Sequence, residues 1–541
     1  MGKRCGFRKL RVFASHYGPR LLLITSFCVV ALLQSADLSH AAEEISQFFP
    51  QTGYTVQGSF LDYWKKHGGL FTFGYPITAK FEEDGYQVQY FERTRFEYHP
   101  ENIGTQYEVL LGLLGKELGA DHDFEPVQTG EGGVYFPQVH HTIRGGFLTY
   151  WNQQGGLSRF GLPISEEFDQ LNQSDRHTYR VQYFERALFE YHPENNEPYR
   201  VLLGHLGTQM LLFRQHAAHF VQVLGEQLVV GAPLRPLKLK GFNYYPRDFA
   251  WTDFSAWSPL RVDFELQQAQ ALGANALRVF VRSDAFGGAG ASWGEQTAFA
   301  NFIKLAQTYK LYVLVSLFDG LRKEPNLDWD NWPLANTAQE TQDKAYLTAI
   351  VAKWKDEPTI IGWDLYNEPD FVNGTEYQWE AHRQNRLDWL RRMAAELRRL
   401  DSNHLITIGV ALADSNTLAA ADASVLKIVD FVSVHYYGRN YRNQEIATVL
   451  NALRQQTHKP ILLEEAGQAT SPDSGTETEQ AHFVEQMLQA VVSTDTSGVL
   501  IWTLYDWPSH ANGSEGFYGV LRANDTAKPA AEIFRLGVLQ K

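Results

Sequence analysis

Two glutamates offer the clearest chemistry in this chain. Glu368 closes the run IIGWDLYNEPD, and Glu465 lies in KPILLEEAG. Each follows a short apolar stretch of the kind that forms a buried strand. Two carboxyl groups at strand ends that face one cleft can divide a hydrolysis between them. One protonates a leaving oxygen while the other attacks the anomeric carbon or activates water, which is what cleavage of a glycosidic bond requires. A single strand-end glutamate would be weak evidence; two such residues across a shared mouth are much stronger. Simple alternation along a strand predicts that Glu464 points away from the face of Glu465.

The elements that must hold this pair are eight strand-like runs, at 240–245, 276–281, 311–317, 360–366, 404–410, 430–436, 460–465 and 498–504. Helical patterns separate them. The clearest carries Leu387, Leu390, Met393, Leu397 and Leu400 at spacings of three and four. Eight such units within residues 217–541 predict an α/β fold, a (β/α)8 TIM barrel. Its active site belongs at the C-terminal ends of the strands, and strands four and seven lie across the mouth from each other.

With those residues in place, the region resembles the clan A glycoside hydrolases, especially the cellulase and mannanase type of family 5. WDLYNEPD is the most specific stretch and LLEEAG the second. The resemblance implies Glu368 as acid/base and Glu465 as nucleophile in a retaining double displacement on a β-glucan or β-mannan type of glycan. It also implies that Arg278 hydrogen-bonds the nucleophile, that Asn367 meets the sugar 2-hydroxyl, that His435 lines the sugar site, that Tyr437 positions the nucleophile and that Trp502 lies under the cleaved sugar. Glu368 is then expected to have a raised pKa and Glu465 a low one. One position departs from the family: where many members carry a histidine after strand three, this chain has Phe318 and Asp319. A transglycosylase would use the same residues, and a glycan-binding or cell-envelope protein with a degenerate barrel is the non-enzymatic alternative. Trp251, Trp257, Trp329 and Trp332, in loops after strands one and three, are outer sugar platforms or loop-packing residues at even odds. No metal cluster, phosphate loop or nucleotide fingerprint stands out, so no cofactor or metal is expected.

The N-terminal part reads differently. Residues 1–20 are basic, an apolar run follows from Leu21 to Leu33, and small residues end at Ala41-Ala42. That order is a secretory signal over 1–42, with an uncleaved anchor as the alternative. It predicts a secreted or cell-surface protein. Both cysteines, Cys5 and Cys28, fall inside this segment, so no disulfide is expected beyond it. A net charge of −14 argues against nucleic acid as a partner and suits a neutral glycan. An aromatic content of 13% fits either stacking on sugar faces or ordinary core filling, which composition alone does not separate.

Residues 43–125 and 126–216 form two tandem, β-rich repeats. FPQTGYTVQGSFLDYWKKHGGLFTFGYPI recurs as FPQVHHTIRGGFLTYWNQQGGLSRFGLPI, and VQYFERTRFEYHPEN as VQYFERALFEYHPEN. VQYFER and RFEYHP alternate like strands, FLDYW and FLTYW suit short helices, and the GG-x3-FG-x-P stretches read as turns or tight loops. The pattern loosely resembles LGFP-type repeats of bacterial cell-envelope proteins, which implies contact with an envelope glycan. Glu92, Arg93, Glu97 and His99, with Glu185, Arg186, Glu190 and His192, have the types of a binding site. A role in keeping the fold is the stronger reading of an aromatic-rich motif that occurs twice. Residues 220–245 predict a hairpin followed by the first barrel strand.

Overall fold

The alternation in the repeat blocks translates directly into strands. The computed structural model describes residues 45–119, 124, 126–127, 132–172, 177–247, 254, 258–281, 283–286, 292–319, 337–370, 378–411, 423–437, 445–507 and 513–539. The basic and apolar segment at 1–42, and Trp251, Trp257, Trp329 and Trp332, lie outside the described residues. In copy one, the hairpin Ser46–Phe49 and Tyr54–Gln57 leads into helix Gly58–Lys66 and the short helix Gly69–Phe73. A four-stranded antiparallel sheet follows (Phe81–Glu83, Tyr86–Phe91, Thr94–Tyr98, Val109–Leu111), then helix Leu114–Gly119. Copy two repeats every step, from hairpin Gly133–Phe136 and His141–Arg144 to helix Leu206–Ala217. The GG-x3-FG stretch is therefore a turn of helix rather than a loop. A left-handed Gly68 reverses the chain and starts the helix, whose Phe73 is fully buried.

The two copies interlock. Arg93 Nε donates to Leu203 O at 2.8 Å, and Arg186 Nη1 donates to Leu111 O. Lys116 N donates to Glu185 O at 2.9 Å, and Thr208 N to Glu92 O at 3.0 Å. Each bond of one copy has its mirror in the other, as a two-fold pseudo-symmetry demands. The approach is so close that a Cβ on Gly115 would lie 1.8 Å from Phe184 O, and one on Gly207 would lie 1.8 Å from Phe91 O. Val88, Tyr90, Leu114, Val181, Tyr183, Leu188, Leu206 and Met210 form one buried cluster drawn from both copies. Burial of each large side chain there contributes roughly 1.5–3 kcal/mol.

From Leu239 onward the chain closes a barrel of eight parallel strands in sequence order. They are β1 (Leu239–Asn243), β2 (Ala276–Phe280), β3 (Tyr312–Ser316), β4 (Ile360–Asn367), β5 (Leu405–Val410), β6 (Val432–Tyr437), β7 (Ile461–Gly467) and β8 (Gly498–Ile501). All eight runs read from the sequence are strands, nearly continuous in burial because both faces are covered. The helix Gln378–Leu400 buries Leu387, Leu390, Met393 and Leu397 completely, as their spacing requires. Helix Glu477–Thr494 starts on a reciprocal capping box between Thr476 and Glu479.

The expected hairpin after the repeats is a three-stranded antiparallel sheet, Gln222–Leu224, Gln227–Val230 and Arg235–Pro236. Its Leu228 packs with Leu239, Ala276, Leu314, Ile361, Leu405 and Leu462. These residues lie within the first three positions of their strands, so the sheet plugs the N-terminal end of the barrel. The last helix of copy two reaches the same end. His216 Nε2 bonds Asn403 O at 3.3 Å, and Phe220 packs edge-on to His404 at 5.3 Å, just before β5 begins. The repeats thus attach to the face of the barrel opposite its mouth.

Candidate active site

Two bulges decide which side chains enter the mouth. In β4, Asp364 pairs with Thr407 but Asn367 with Gly409, so the register slips between them. The slip brings both Asp364 and Asn367 onto Arg278. Beyond it the chain turns sharply: Glu368 has φ +53°, a left-handed conformation that costs a non-glycine residue roughly 1–3 kcal/mol. The turn is fastened on every side. Glu368 N donates to Gly409 O at 2.7 Å, Arg386 Nη1 to Pro369 O at 2.5 Å, and Ala411 N to Asp370 Oδ1 at 2.9 Å. Burial pushes the Asp370 carboxyl up to about 6.

The second bulge corrects a sequence expectation. Val434 pairs with Leu463, but His435 pairs with Glu465, which leaves Glu464 as the extra residue. Alternation breaks there, and Glu464 does not point away. It is fully buried, with Oε2 3.3 Å from His435 Nε2 and Oε1 3.3 Å from Arg278 Nε. Both glutamates of the pair therefore address the same cluster.

Arg278 is the hub. It is 0% exposed. Nη2 donates to Asp364 Oδ2 at 2.5 Å and to Asn367 Oδ1 at 2.7 Å; Nη1 donates to Glu465 Oε2 at 2.9 Å and to Asn243 Oδ1 at 3.0 Å. Burial opposes its charge, but Glu464, Asp364 and Glu465 outweigh burial and keep the guanidinium protonated. Because Arg278 takes the Asn367 oxygen, the amide nitrogen is the end left to donate; it meets Asp319 Oδ1 at 3.4 Å. Of the two residues at the departure from the family pattern, Asp319 supplies an acceptor to Asn367. Phe318 turns outward onto Tyr346 and Trp389.

His435 joins the three glutamates. Its Nδ1 lies 2.8 Å from Glu368 Oε1 and 3.6 Å from Glu465 Oε2, while Nε2 faces Glu464. Burial lowers the imidazole pKa, but the charge on Glu465 and the bonds to Glu368 and Glu464 override it and hold the ring well above its ordinary value. Tyr437 donates its hydroxyl to Glu465 Oε1. Burial also raises the Tyr437 hydroxyl well above its usual range, so it remains a donor. Against the expectation of a low value, burial pushes the Glu465 carboxyl up to about 7, opposed by His435, Arg278 and Tyr437 and reinforced by Glu368.

Trp502 is 5% exposed and packs edge-on to Tyr245, Phe280 and Trp507, beside Tyr437. Six of the seven residues expected in the site thus lie toward or just beyond the C-terminal ends of the strands, and Arg278, in the middle of β2, reaches them with its side chain. The sequence reading missed Asp364, Asn243, Asp370 and Asp319, and misdirected Glu464. One signal was present: a charged residue inside an apolar strand run, such as Asp364 in IIGWDLY, must have a buried partner. Among the described residues, Glu368, His435 and Glu465 also offer ligand atoms within 4.8 Å of one another, close enough for a cation.

Residues 240–507 match the model of the cellulase family, glycosyl hydrolase family 5. The C-terminal region is accordingly a family 5 glycoside hydrolase domain. Among similar proteins, mannan endo-1,4-beta-mannosidase 4 of Solanum lycopersicum is 23% identical over 268 residues, covering 44% of this chain and 60% of that protein. Mannan endo-1,4-beta-mannosidase 1 of Oryza sativa subsp. japonica is 24% identical over 270 residues, covering 40% and 59%. The chain therefore spans about three fifths of the length of these relatives. The solved endo-1,4-beta-mannanase of Rhizomucor miehei aligns with a TM-score of 0.46 at 17% identity, over 59% of this chain and 98% of its own.

Proposed function

We propose that this chain is a retaining glycoside hydrolase that cleaves β-linked glycans, β-mannan first and β-glucan second. The observation that carries the proposal is the close approach of two carboxylates: Glu368 and Glu465 present oxygens within 4.8 Å of each other. Retaining enzymes hold their pair about 5–5.5 Å apart, whereas inverting ones leave room for a water at about 6.5–9.5 Å. Preference for mannan rests on the names of the related plant proteins.

Each side chain has a step to perform. Arg278 and Tyr437 hold one oxygen each of Glu465 and so fix the plane from which it attacks the anomeric carbon. Glu368, in its left-handed turn, delivers a proton to the departing oxygen. Water then attacks the anomeric carbon of the glycosyl-enzyme ester as Glu368 takes a proton from it, and the bond to Glu465 breaks to release the carboxylate. The Asn367 nitrogen donates to the sugar 2-hydroxyl, a contact that strengthens as the ring flattens. Trp502 lies under that ring. Proton NMR of the first products from mannotetraose should show the β-anomer; an initial α-product would overturn retention.

Export belongs to the same proposal and rests on the basic, then apolar, then small-residue order of 1–42. The repeats, fixed to the far end of the barrel, are read as the part that contacts a cell-envelope or bulk glycan while the mouth stays open to substrate.

A further inference from the structure

The proposed double displacement uses Glu368 and Glu465 and leaves a third glutamate of the cluster without a step. Glu464 is 0% exposed. A third carboxylate buried beside two others is costly, because like charges in one site oppose one another's ionisation. The bulge in β7 nevertheless turns it inward, where Oε2 lies 3.3 Å from His435 Nε2 and Oε1 lies 3.3 Å from Arg278 Nε. β5 makes room for that contact. A Cβ on Gly409 would lie 2.6 Å from Glu464 Oε2, 2.7 Å from His435 Nε2 and 3.2 Å from Arg278 Nη2.

These partners decide which ring nitrogen carries hydrogen. Glu464 Oε1 faces a guanidinium, which only donates, so Glu464 is held as an acceptor. Burial pushes its carboxyl up, and Arg278 and His435 oppose that rise. An ionised carboxylate has no hydrogen to give, so the hydrogen between Glu464 and the ring belongs to Nε2. Nδ1 is then the nitrogen that faces Glu368, with Oε1 at 2.8 Å, nearer than Glu465 Oε2 at 3.6 Å. Asp370, beyond β4, feels the charges of both Glu368 and the ring. With hydrogen fixed on Nε2, a neutral ring accepts the Glu368 proton at Nδ1, and a charged ring returns it. One proton lies on the same line in both states.

We propose that Glu464 is a positioning residue that fixes the His435 hydrogen on Nε2, so that Nδ1 and Glu368 together hold the proton given to the leaving oxygen. A buried carboxylate behind an imidazole sets its tautomer in the same way in hydrolytic triads. The consequence for turnover rests on the reading of Glu368 as acid/base. As the glycosidic C–O bond breaks, its electron pair stays on the leaving oxygen, which takes the proton from Glu368 while Glu465 bonds the anomeric carbon. The pair of Glu368 and His435 is then one proton short until the attacking water supplies one. The opposite neutral tautomer, with hydrogen on Nδ1, would donate to an ionised Glu368 and leave it no proton to deliver.

The test gives the full chain two substrates that differ in their need for an acid. Cleavage of mannotetraose expels a sugar alkoxide, which needs a proton; cleavage of dinitrophenyl β-mannoside expels a stable phenolate, which does not. Glu464→Gln keeps the shape of the side chain, but an amide both donates and accepts and so admits either tautomer. It should lower the ratio of kcat/KM on mannotetraose to kcat/KM on the aryl mannoside by about tenfold or more. Gly409→Ala, which wedges Glu464 away from His435 without altering either side chain, should lower the same ratio. A purely structural role would slow both substrates alike, so a ratio unchanged in both variants would overturn the proposal. NMR of the chain labelled with nitrogen-15 histidine reads the hydrogen itself and needs no turnover, the His435 signals being identified by their loss in His435→Asn. Nε2 should keep its hydrogen throughout a pH titration of the parent and lose it in part in Glu464→Gln. A parent Nε2 without hydrogen would overturn the proposal. A parent that holds hydrogen on Nε2 but cleaves neither substrate would instead overturn the hydrolase reading and leave the tautomer standing.

Discussion

The Glu-Arg pairs that recur at the junction of the two repeats and the charges of the barrel mouth are committed differently. In the modules, Arg93 and Arg186 end on backbone carbonyls, and Glu92 and Glu185 accept from the backbone of Tyr75 and Leu162 at 3.0 and 2.9 Å. In the barrel mouth, Arg278, His435 and three glutamates arrive from β2, β4, β6 and β7 and end on one another. A charge committed to main chain fixes the path of that chain. Charges that converge from several strands and share protons can exchange them with a substrate. The same residue types, half-buried in the modules and buried in the barrel, therefore fasten main chain in one region and converge on a shared cluster in the other.

The largest expected effect comes from the pair itself. Glu465→Gln should lower kcat/KM on mannotetraose by on the order of 10⁴-fold or more, and Glu368→Gln by roughly 10²- to 10⁴-fold. Neither should shift the denaturant midpoint appreciably. Next, Arg278→Met should both abolish turnover and cost about 3–5 kcal/mol in chemical denaturation, because it strands buried carboxylates. Arg93→Met sharpens the contrast: it should cost about 1.5–3 kcal/mol for its lost bond to a backbone carbonyl, yet leave kcat on an aryl β-mannoside unchanged. A fall in kcat with Arg93→Met would break the comparison.

The smallest effects are in pH dependence. In the proposed double displacement Glu465 must be ionised to attack, and its carboxyl is raised to about 7. Activity should therefore be low in acid and rise through an acidic limb near pH 7 in kcat/KM. His435 lowers the Glu465 value, so His435→Asn should move that limb upward. Glu464→Gln removes one of the groups that keep His435 charged, and should move the limb in the same direction by less. A limb that stays in place in both variants would separate His435 from the nucleophile.

Much of this was legible beforehand, for a physical reason. Strands of a closed parallel barrel are buried on both faces, so they appear as apolar runs with charged ends, and all eight could be read. Asn-Glu-Pro marked Glu368 by its residues alone. Glu464 was misread because alternation assumes an unbroken ladder, and nothing in LLEEAG announces a bulge. Asp364 was passed over because three apolar residues precede it and two follow, which masks a buried charge as an ordinary strand position. Paired glycines signal reversal, so GG-x3-FG reads as a turn or tight loop, while the packing of Phe73 that winds the next turn into helix is tertiary. Which of Arg93 and Arg278 does chemistry depends on what the guanidinium meets, which is a property of three dimensions.

The mirrored bonds between the copies carry a rule of number. Arg93 needs the Leu203 carbonyl of the other copy, and Arg186 needs that of Leu111. A lone copy would present an arginine and a carbonyl with nothing to close on, and a third copy would do the same at the end of the row. Duplication here produced a closed couple rather than an extendable array, so such modules should be gained and lost in twos.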